Sequence, residues 1–508
     1  MRNGFRRINC IFHSVGALLE ILGLILLFPL IVVFIYWGQM GDGWITARAF
    51  LVTALVSFLF GFVLRKRFKP EPLDTTGSML MCALGWLFVS AVGALPFVIA
   101  IGSSYLDAYF EAMSGFTTTG ITVLSGLDDM PRSILFWRAL TQWLGGIGIL
   151  SFFLVVTFQP GGAHHIFGAE SHKISSGRPA PGVFTTLRIL WAIYAIFTLL
   201  AAVVLVIERM PVFDAVCHAL STLSTGGFSP HDSSIDFYRL EGHPNHRLIE
   251  YTLTFLMMLG GINFLIHYRV LTRDFKALWD NIEIRYWWRL VAAFTAIILI
   301  ERLYKTGALS ALFTRGTPVS PGEFERSFRY SIFQVMSILT TTGFGTKDIG
   351  SDFFGALSKQ LFLVMMVIGG CVGSTGGGFK VLRVAILNRL MFRELFKLRV
   401  SGKASAGLII DKRIVPEDEV HRVAALFFTW MALLLLGGAI TALFSTQGPW
   451  ESFSGMFSAV GNIGPCYISA QDMIDMHPVV KLTYIFGMLA GRLEVLPVLL
   501  LFSRKAWK

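Results

Sequence analysis

The chain has 508 residues, of which 54% are apolar and 14% aromatic, with a formal net charge of +11 and a mean hydropathy of +0.65. About three or four soluble domains would be the usual reading of such a length, but this apolarity excludes them and points to a polytopic membrane protein. The high charge does not mark a nucleic-acid binder, because the basic residues fall in separated clusters between apolar runs and form no continuous groove.

Ten apolar runs follow one another at 15–37, 44–64, 79–101, 134–158, 184–207, 248–266, 287–303, 357–371, 421–444 and 479–502. Each is read as a crossing of about 30 Å of hydrocarbon. The first follows Arg2, Arg6 and Arg7, is too long for a secretory leader and lacks a small-residue cleavage site, so it is expected to stay as an anchor. Positive clusters occupy alternate connections: Arg65 to Lys69 after the second run, Lys173 to Arg188 after the fourth, Arg269 to Arg289 after the sixth, Arg383 to Arg413 after the eighth, and Arg504 to Lys508 at the end. The other connections hold Asp42, Asp128, Asp129, Asp232, Asp236, Asp348, Asp352, Asp472 and Asp475. Such an alternation places both termini in the cytoplasm. The five cysteines form no CxxC pair, which argues against disulfides and cysteine-bound metal.

Four segments between these runs are too short to cross: 105–116 (YLDAYFEAMSGF), 212–223 (VFDAVCHALSTL), 326–339 (RSFRYSIFQVMSIL) and 450–460 (WESFSGMFSAV). Each leads into a polar loop with a serine six residues before a glycine: SGFTTTG to Gly120, STLSTGG to Gly227, SILTTTG to Gly343 and SAVGNIG to Gly464. A second register follows in the next run, as LGG at Leu144–Gly146 and Leu259–Gly261, IGG at Ile368–Gly370 and LAG at Leu489–Gly491. The plan is that of a re-entrant half-helix repeated four times. Seven residues before each serine stands Asp107, Asp214, Tyr330 or Glu451, so three copies carry an acid near the positive end of the helix dipole. The opposite, negative ends then face a common axis, where a cation fits. Irregular backbone at membrane depth survives only when buried in protein or facing water, and four such loops can offer carbonyls in place of an ion's hydration shell.

Two departures from the repeat stand out. Where the first three copies have Ile147, Ile262 and Cys371 after the glycine pair, the fourth has Arg492. An arginine at mid-helix costs ~2.5–3.5 kcal/mol on insertion scales and is expected either to line the pore or to join a salt bridge between repeats. At ~7 Å from an ion, with an effective dielectric near 20, its repulsion is roughly 2 kcal/mol. The other departure is GGCVGSTGGGFK, Gly369 to Lys380, whose six glycines cannot hold a firm helix. It is expected to be a flexible flap under the loops, with Gly373, Ser374, Thr375, Gly376, Gly377, Gly378 and Lys380 as gating candidates. Its likeness to a phosphate-binding loop fails because Phe379 precedes Lys380 and Val381 follows it. His164, His165 and His172 are read as solvated or partner-facing, and no nucleophile, base and orienter set suggests an enzyme.

With these motifs the chain resembles the Trk/Ktr/HKT superfamily of potassium transporters over essentially its whole length, closest to the TrkH branch with its two additional N-terminal helices. The resemblance implies an all-α polytopic membrane protein, with four M1-P-M2 repeats and re-entrant pore helices around one pseudo-fourfold pore. The corresponding segments are 1–70 (two N-terminal helices), 71–172, 173–283, 284–412 with an intramembrane gating loop at 371–379, and 413–508. It further implies that Gly120, Gly227, Gly343 and Gly464 are filter glycines, with K+ held by the carbonyls of Thr118, Thr119, Thr225, Gly226, Thr341, Thr342, Asn462 and Ile463. Arg492 would act in gating. One glycine per loop implies fewer ion sites in series than a longer filter, and a looser discrimination against Na+. The expected activity is gated K+ uptake across the bacterial inner membrane by a lipid-embedded homodimer. A cytosolic RCK-type, TrkA-like nucleotide-binding subunit would dock on the basic face, so that NAD or ATP acts only through that partner and the chain binds no cofactor of its own. Symport with H+ or Na+ is left open. The rivals are a less selective Na+/K+ pathway and the ion-translocating subunit of a larger ATP-driven pump. The two extra helices and Arg492 favour the first reading.

Overall fold

The computed structural model describes residues 2–70, 74–158, 183–307, 321–399, 407–411 and 413–507. His164, His165, His172, Lys173, Arg178, Lys403 and Lys412 lie outside the described residues, as do the repeat boundaries drawn at 172 and 412. The described chain is helical apart from one small antiparallel hairpin, Leu408–Ile410 paired with Arg413–Val415. All five cysteines are free thiols.

Two N-terminal helical units come first. Arg2–Ile25 continues into Pro29–Ile35 after a short break at the proline, and Trp44–Arg67 returns alongside. They cross where glycine faces glycine: a Cβ on Gly16 would strike Gly61 O, and one on Gly61 would strike Gly16 O. Small residues of this kind let two backbones approach where no hydrophobic force drives helices together in lipid.

Four triads follow. Their outer helices are Thr75–Gly93 with Leu95–Ile101, Val183–Ile207, Ile282–Lys305 and Glu417–Phe444. Their short helices are Tyr105–Phe116, Val212–Leu223, Pro321–Leu339 and Pro449–Gly461. The third is longer than the expected 326–339, because Pro321 supplies a ready first turn. Its acidic first-turn residue is therefore Glu323, and Tyr330 is a mid-helix core residue.

The second long helix of each triad departs most from the expected ten crossings. By length and composition, the described residues contain five helices apolar enough to cross a membrane, or six if one bent pair is counted. Only Arg132–Phe158 runs unbroken; its counterparts are His246–Gly261 with Phe264–Leu271, Ala356–Ile368 followed after a loop by Val381–Arg399, and Pro478–Arg492 with Leu496–Leu501. The run read as one crossing at 248–266 bends by 104° at its break. Asn263 starts the new helix there by accepting a hydrogen bond from Leu265 N at 2.8 Å. In the fourth triad the break is marked by left-handed Glu494 and Val495, at φ +62° and +66°. All three breaks come within a few residues of the glycine pair, so the repeat is also one of helix interruption.

Ion pairs fasten the short helices to these long ones, the first two of them buried and the third partly exposed at Asp107. Arg138 Nε meets Glu111 Oε1 at 2.8 Å, Arg329 bonds Glu250, and Lys481 bonds Asp107. Removing one partner of a buried pair leaves a buried charge, at about 3–5 kcal/mol.

A cover lies over the ends of the loops. Ile235 N and Asp236 N both donate to Gly345 O, at 3.1 and 3.3 Å, and Leu127 N donates to Asp232 at 3.1 Å. At its centre His231 lies flat on Phe237, ring centroids 3.5 Å apart, and bridges Asp128 at 2.6 Å and Asp214 at 3.1 Å. Burial disfavours the imidazolium, but hydrogen bonds to the two carboxylates outweigh it and hold the His231 pKa above its ordinary value. A raised histidine pKa adds stability below its unfolded value of ~6.5, and that stability is lost as pH rises through the folded value. The melting temperature of the detergent-solubilised protein should therefore fall as pH rises above about 6.5, and His231→Gln should flatten that part of the profile. A variant that keeps the full wild-type slope would show that the bridge carries no charge.

Candidate functional site

Each short helix ends in the same hydrogen-bonded cap. The residue two before the loop glycine donates three residues back: Thr118 to Gly115 O, Thr225 to Thr222 O, Thr341 to Ile338 O and Asn462 to Ala459 O, at 2.9–3.3 Å. The next residue donates five back to the repeat serine: Thr119 to Ser114 O, Gly226 to Ser221 O, Thr342 to Ser337 O and Ile463 to Ser458 O, at 2.8–3.0 Å. This paired closure is the Schellman arrangement, which needs a left-handed residue after the helix. Thr118, Thr225, Thr341 and Asn462 supply it at φ +50°, +54°, +60° and +54°. Glycine would be the easy choice; a β-branched residue held there stores about 1–3 kcal/mol of strain.

The loop glycines are left-handed as well, with Gly120, Gly227, Gly343 and Gly464 at φ +83°, +79°, +90° and +109°, while the residue between each such pair is not. Alternating handedness turns successive carbonyls to one side of the chain, where a strand would turn them alternately. The loops close into a directed ring. A Cβ on Gly120 would overlap Gly226 O, one on Gly227 would overlap Thr342 O, and one on Gly343 would overlap Ile463 O. A Cβ on Gly464 would stand 3.1 Å from Thr119 O, which returns the cycle to the first repeat with a looser fit. All twelve residues expected at the loops thus come together.

The repeat serines and the glycine pairs have structural duties around this ring. Ser114 Oγ donates to Ile121 O and Ser337 Oγ to Phe344 O, both at 2.6 Å, while Ser458 Oγ accepts from Gly464 N at 3.0 Å. A side chain at Gly145 would overlap Phe116 O, and one at Gly491 would overlap Val460 O, so these glycines let the long helix press on the end of its short helix. Behind the ring the braces differ. Hydroxyl pairs Thr117–Thr119 and Thr340–Thr342 stand at 2.8 and 2.7 Å, and Asn462 Nδ2 donates to Thr119 Oγ1 at 2.9 Å. Gln142 braces the second loop from the first repeat, donating to Gly226 O at 2.6 Å.

Directly beneath lies the glycine-rich segment, buried from Gly369 to Lys380. Glycine at φ +72°, +71° and +78° (Gly369, Gly373 and Gly378) makes its path possible, and Lys380 is left-handed at +85°. The expected irregular backbone is present, but it is tied down, which the sequence reading of a flexible flap missed. Gly373 O accepts from Phe264 N at 3.0 Å, Thr375 N donates to Gly260 O at 3.2 Å, and Thr375 Oγ1 donates to Leu223 O at 2.8 Å. Gly377 N donates to Thr341 Oγ1 at 2.6 Å, joining the segment to the ring itself. Ser374 Oγ accepts from Gly376 N at 3.2 Å, and Lys380 Nζ donates to Gly376 O. Gly377 packs on Gly461 O, and Gly378 on Gly369.

Arg492 joins the same structure by donating to Thr375 O at 2.7 Å and to Gly145 O at 3.1 Å. Its guanidinium therefore links the fourth repeat to the segment of the third and the helix of the first, through backbone carbonyls. The nearby carboxylate, Glu494, pairs with Arg383 at 2.6 Å instead. Among the described residues Thr118 Oγ1, Asn462 Oδ1 and Arg492 Nε are buried without a hydrogen-bond partner. On the other side of the ring opens a cavity of about 670 Å³ lined by all four loop glycines, with Asp236 and Asp348 on its wall. Sequence reasoning passed over Gln142 and the Glu111–Arg138 pair; a polar residue in an otherwise apolar run was the available signal for each.

The chain matches the family model for the TrkH cation transport protein over residues 47–508. It is 32% identical to the Trk system potassium uptake protein TrkH of Salmonella typhimurium, over 98% of this chain and 99% of that one. It is 30% identical to a cation transporter of Methanocaldococcus jannaschii, over 99% and 96%. The crystal structure of the potassium transporter TrkH from Vibrio parahaemolyticus aligns with a TM-score of 0.84 at 28% identity, covering 99% of this chain and 100% of that chain. The chain belongs to the TrkH family of cation transport proteins.

Proposed function

We propose that this chain is the membrane subunit of a Trk-type potassium uptake system in the bacterial inner membrane, and that K+ passes through the ring of Gly120, Gly227, Gly343 and Gly464. The closed cycle of glycine-to-carbonyl contacts carries this reading. Carbonyl oxygens without a carboxylate among them suit a weakly hydrated monovalent cation better than a divalent one. The four short helices aim the negative ends of their dipoles at that point. The segment Gly373–Gly378 with Lys380 is the gate in this reading, and Arg492 is both its latch and a fixed positive charge. Both termini face the cytoplasm. The assembly is a homodimer whose basic face, from Arg383 onward, receives a cytosolic RCK-type subunit, so that NAD or ATP acts through that partner.

A less selective Na+/K+ pathway is the second reading, favoured by the looser fourth contact at Gly464. Rb+ flux into liposomes holding the purified chain, with Na+ in competition, separates the two. Rb+ should enter faster than Na+ and without ATP; equal rates would leave only the second reading, and a need for ATP hydrolysis would point to a pump subunit. In the same assay Gly343→Ser, which forces a side chain at φ +90° against Ile463 O, should reduce the Rb+/Na+ ratio about tenfold, equivalent to ~1.4 kcal/mol. An unchanged ratio would remove the third loop from the filter. Arg492→Ala should raise basal flux up to roughly 30-fold if the whole ~2 kcal/mol barrier of its charge is relieved. Wild-type flux from a folded Arg492→Ala protein would count against the latch.

A further inference from the structure

The four loops solve one bracing problem in different ways. In the first and third, the residue just before the glycine is a threonine whose hydroxyl pairs with that of the threonine two residues earlier, Thr119 with Thr117 and Thr342 with Thr340. In the second loop the corresponding positions are Gly226 and Ser224, and Gly226 has no hydroxyl to offer. Gln142 occupies the space: a Cβ on Gly226 would overlap its side-chain amide. That amide grips the loop twice, with Nε2 donating to Gly226 O at 2.6 Å and Oε1 accepting from Phe228 N at 3.0 Å. The two contacts span Gly227, one of the ring glycines.

Gln142 stands three residues before the glycine pair of its own helix, and at the same register the other repeats have Met257, Met366 and Gly487. None of these can make such a bidentate grip. Gln142 is fully buried, so both of its polar groups need partners, and the loop provides them. Gly226 O is also the oxygen that Gly120 packs against. The side chain of one repeat thus fixes the carbonyl of the next at the seam between the first and second loops.

We propose that Gln142 is a specificity-determining positioning residue: it holds the Gly226 carbonyl in the ring and thereby sets the preference for K+ over Na+. This inference rests on the reading of the ring as an ion filter. A carbonyl with one lone pair engaged by an amide still has another for an ion, and the amide prevents the peptide from turning away. Without it, the second loop has neither hydroxyl pair nor amide splint and adapts to the smaller ion.

The full chain in liposomes provides the test, reading the Rb+/Na+ flux ratio together with the melting temperature. Gln142→Leu should reduce the ratio about fivefold or more while Rb+ still enters, and Gln142→Met, the residue of the second and third repeats, should do the same. The double variant Gln142→Ala with Gly226→Thr gives a Ser-Thr-Thr-Gly loop, the counterpart of Thr-Thr-Thr-Gly in the first and third repeats, in which the introduced hydroxyl can pair with Ser224, and should recover most of the ratio. Gly226→Thr alone should lower it, because Gln142 is still in the way. Wild-type ratios in both folded single variants would overturn the inference. So would a double variant that folds and passes Rb+ with no more selectivity than Gln142→Leu. If Gln142→Leu does not fold, Gln142→Met and the double variant decide by the same ratios. A wild-type chain that passes both ions equally overturns this inference and the K+-selective reading together, whereas a selective wild type with indifferent Gln142 variants overturns this inference alone.

Discussion

The structure depends on one constraint: four stretches of non-helical backbone sit among membrane-spanning helices, and each of their N–H groups must find a partner in protein. The solution is the double closure in which Thr119, Gly226, Thr342 and Ile463 bond back to a serine carbonyl five residues earlier. That bond spends the helix-end carbonyls that would otherwise stay unsatisfied and forces the preceding residue left-handed. The glycine after it then inherits its place at the ring. The serine of each repeat, a mere marker of spacing in the sequence, is thus the acceptor on which the loop turns.

Around this common backbone the repeats have diverged in their side chains. Hydroxyl pairs, an asparagine and a glutamine hold the loops from behind, and each choice fits a different gap between neighbouring helices. The third repeat interrupts its long helix between Ile368 and Val381, and the freed segment binds the undersides of the second, third and fourth repeats. An arginine in the fourth repeat is stable in this setting because two carbonyls meet it, one of them made available by that same interruption.

Much of this was legible in the sequence because the relevant information is periodic. Glycine at a left-handed position, serine six residues before it and a glycine pair further on recur in register, and each is a local backbone requirement. What was not legible depends on contacts between repeats. The partners of Arg492 are main-chain oxygens, which look alike at every position. His231 meets Asp128 across 103 residues, and Gln142 meets Gly226 across 84. The break at Asn263 hid inside an apolar run, since hydropathy counts residues without regard to the chain's direction. The early start of the third short helix was missed for a related reason: its added turns are polar, whereas the repeat is marked by apolar segments.

The ring has a direction, each glycine resting on the oxygen of the following loop, and its last contact runs from Gly464 back to Thr119. The order of the contacts is therefore the order of synthesis, save for the one that joins the last repeat to the first. Three loops can form only an open arc, and the circle is completed when the fourth repeat, more than 340 residues after the first loop, is inserted beside it. A growing chain accordingly holds no finished pore. The segment that underlies the ring, from Gly369 to Lys380, is likewise made before the fourth loop completes the circle.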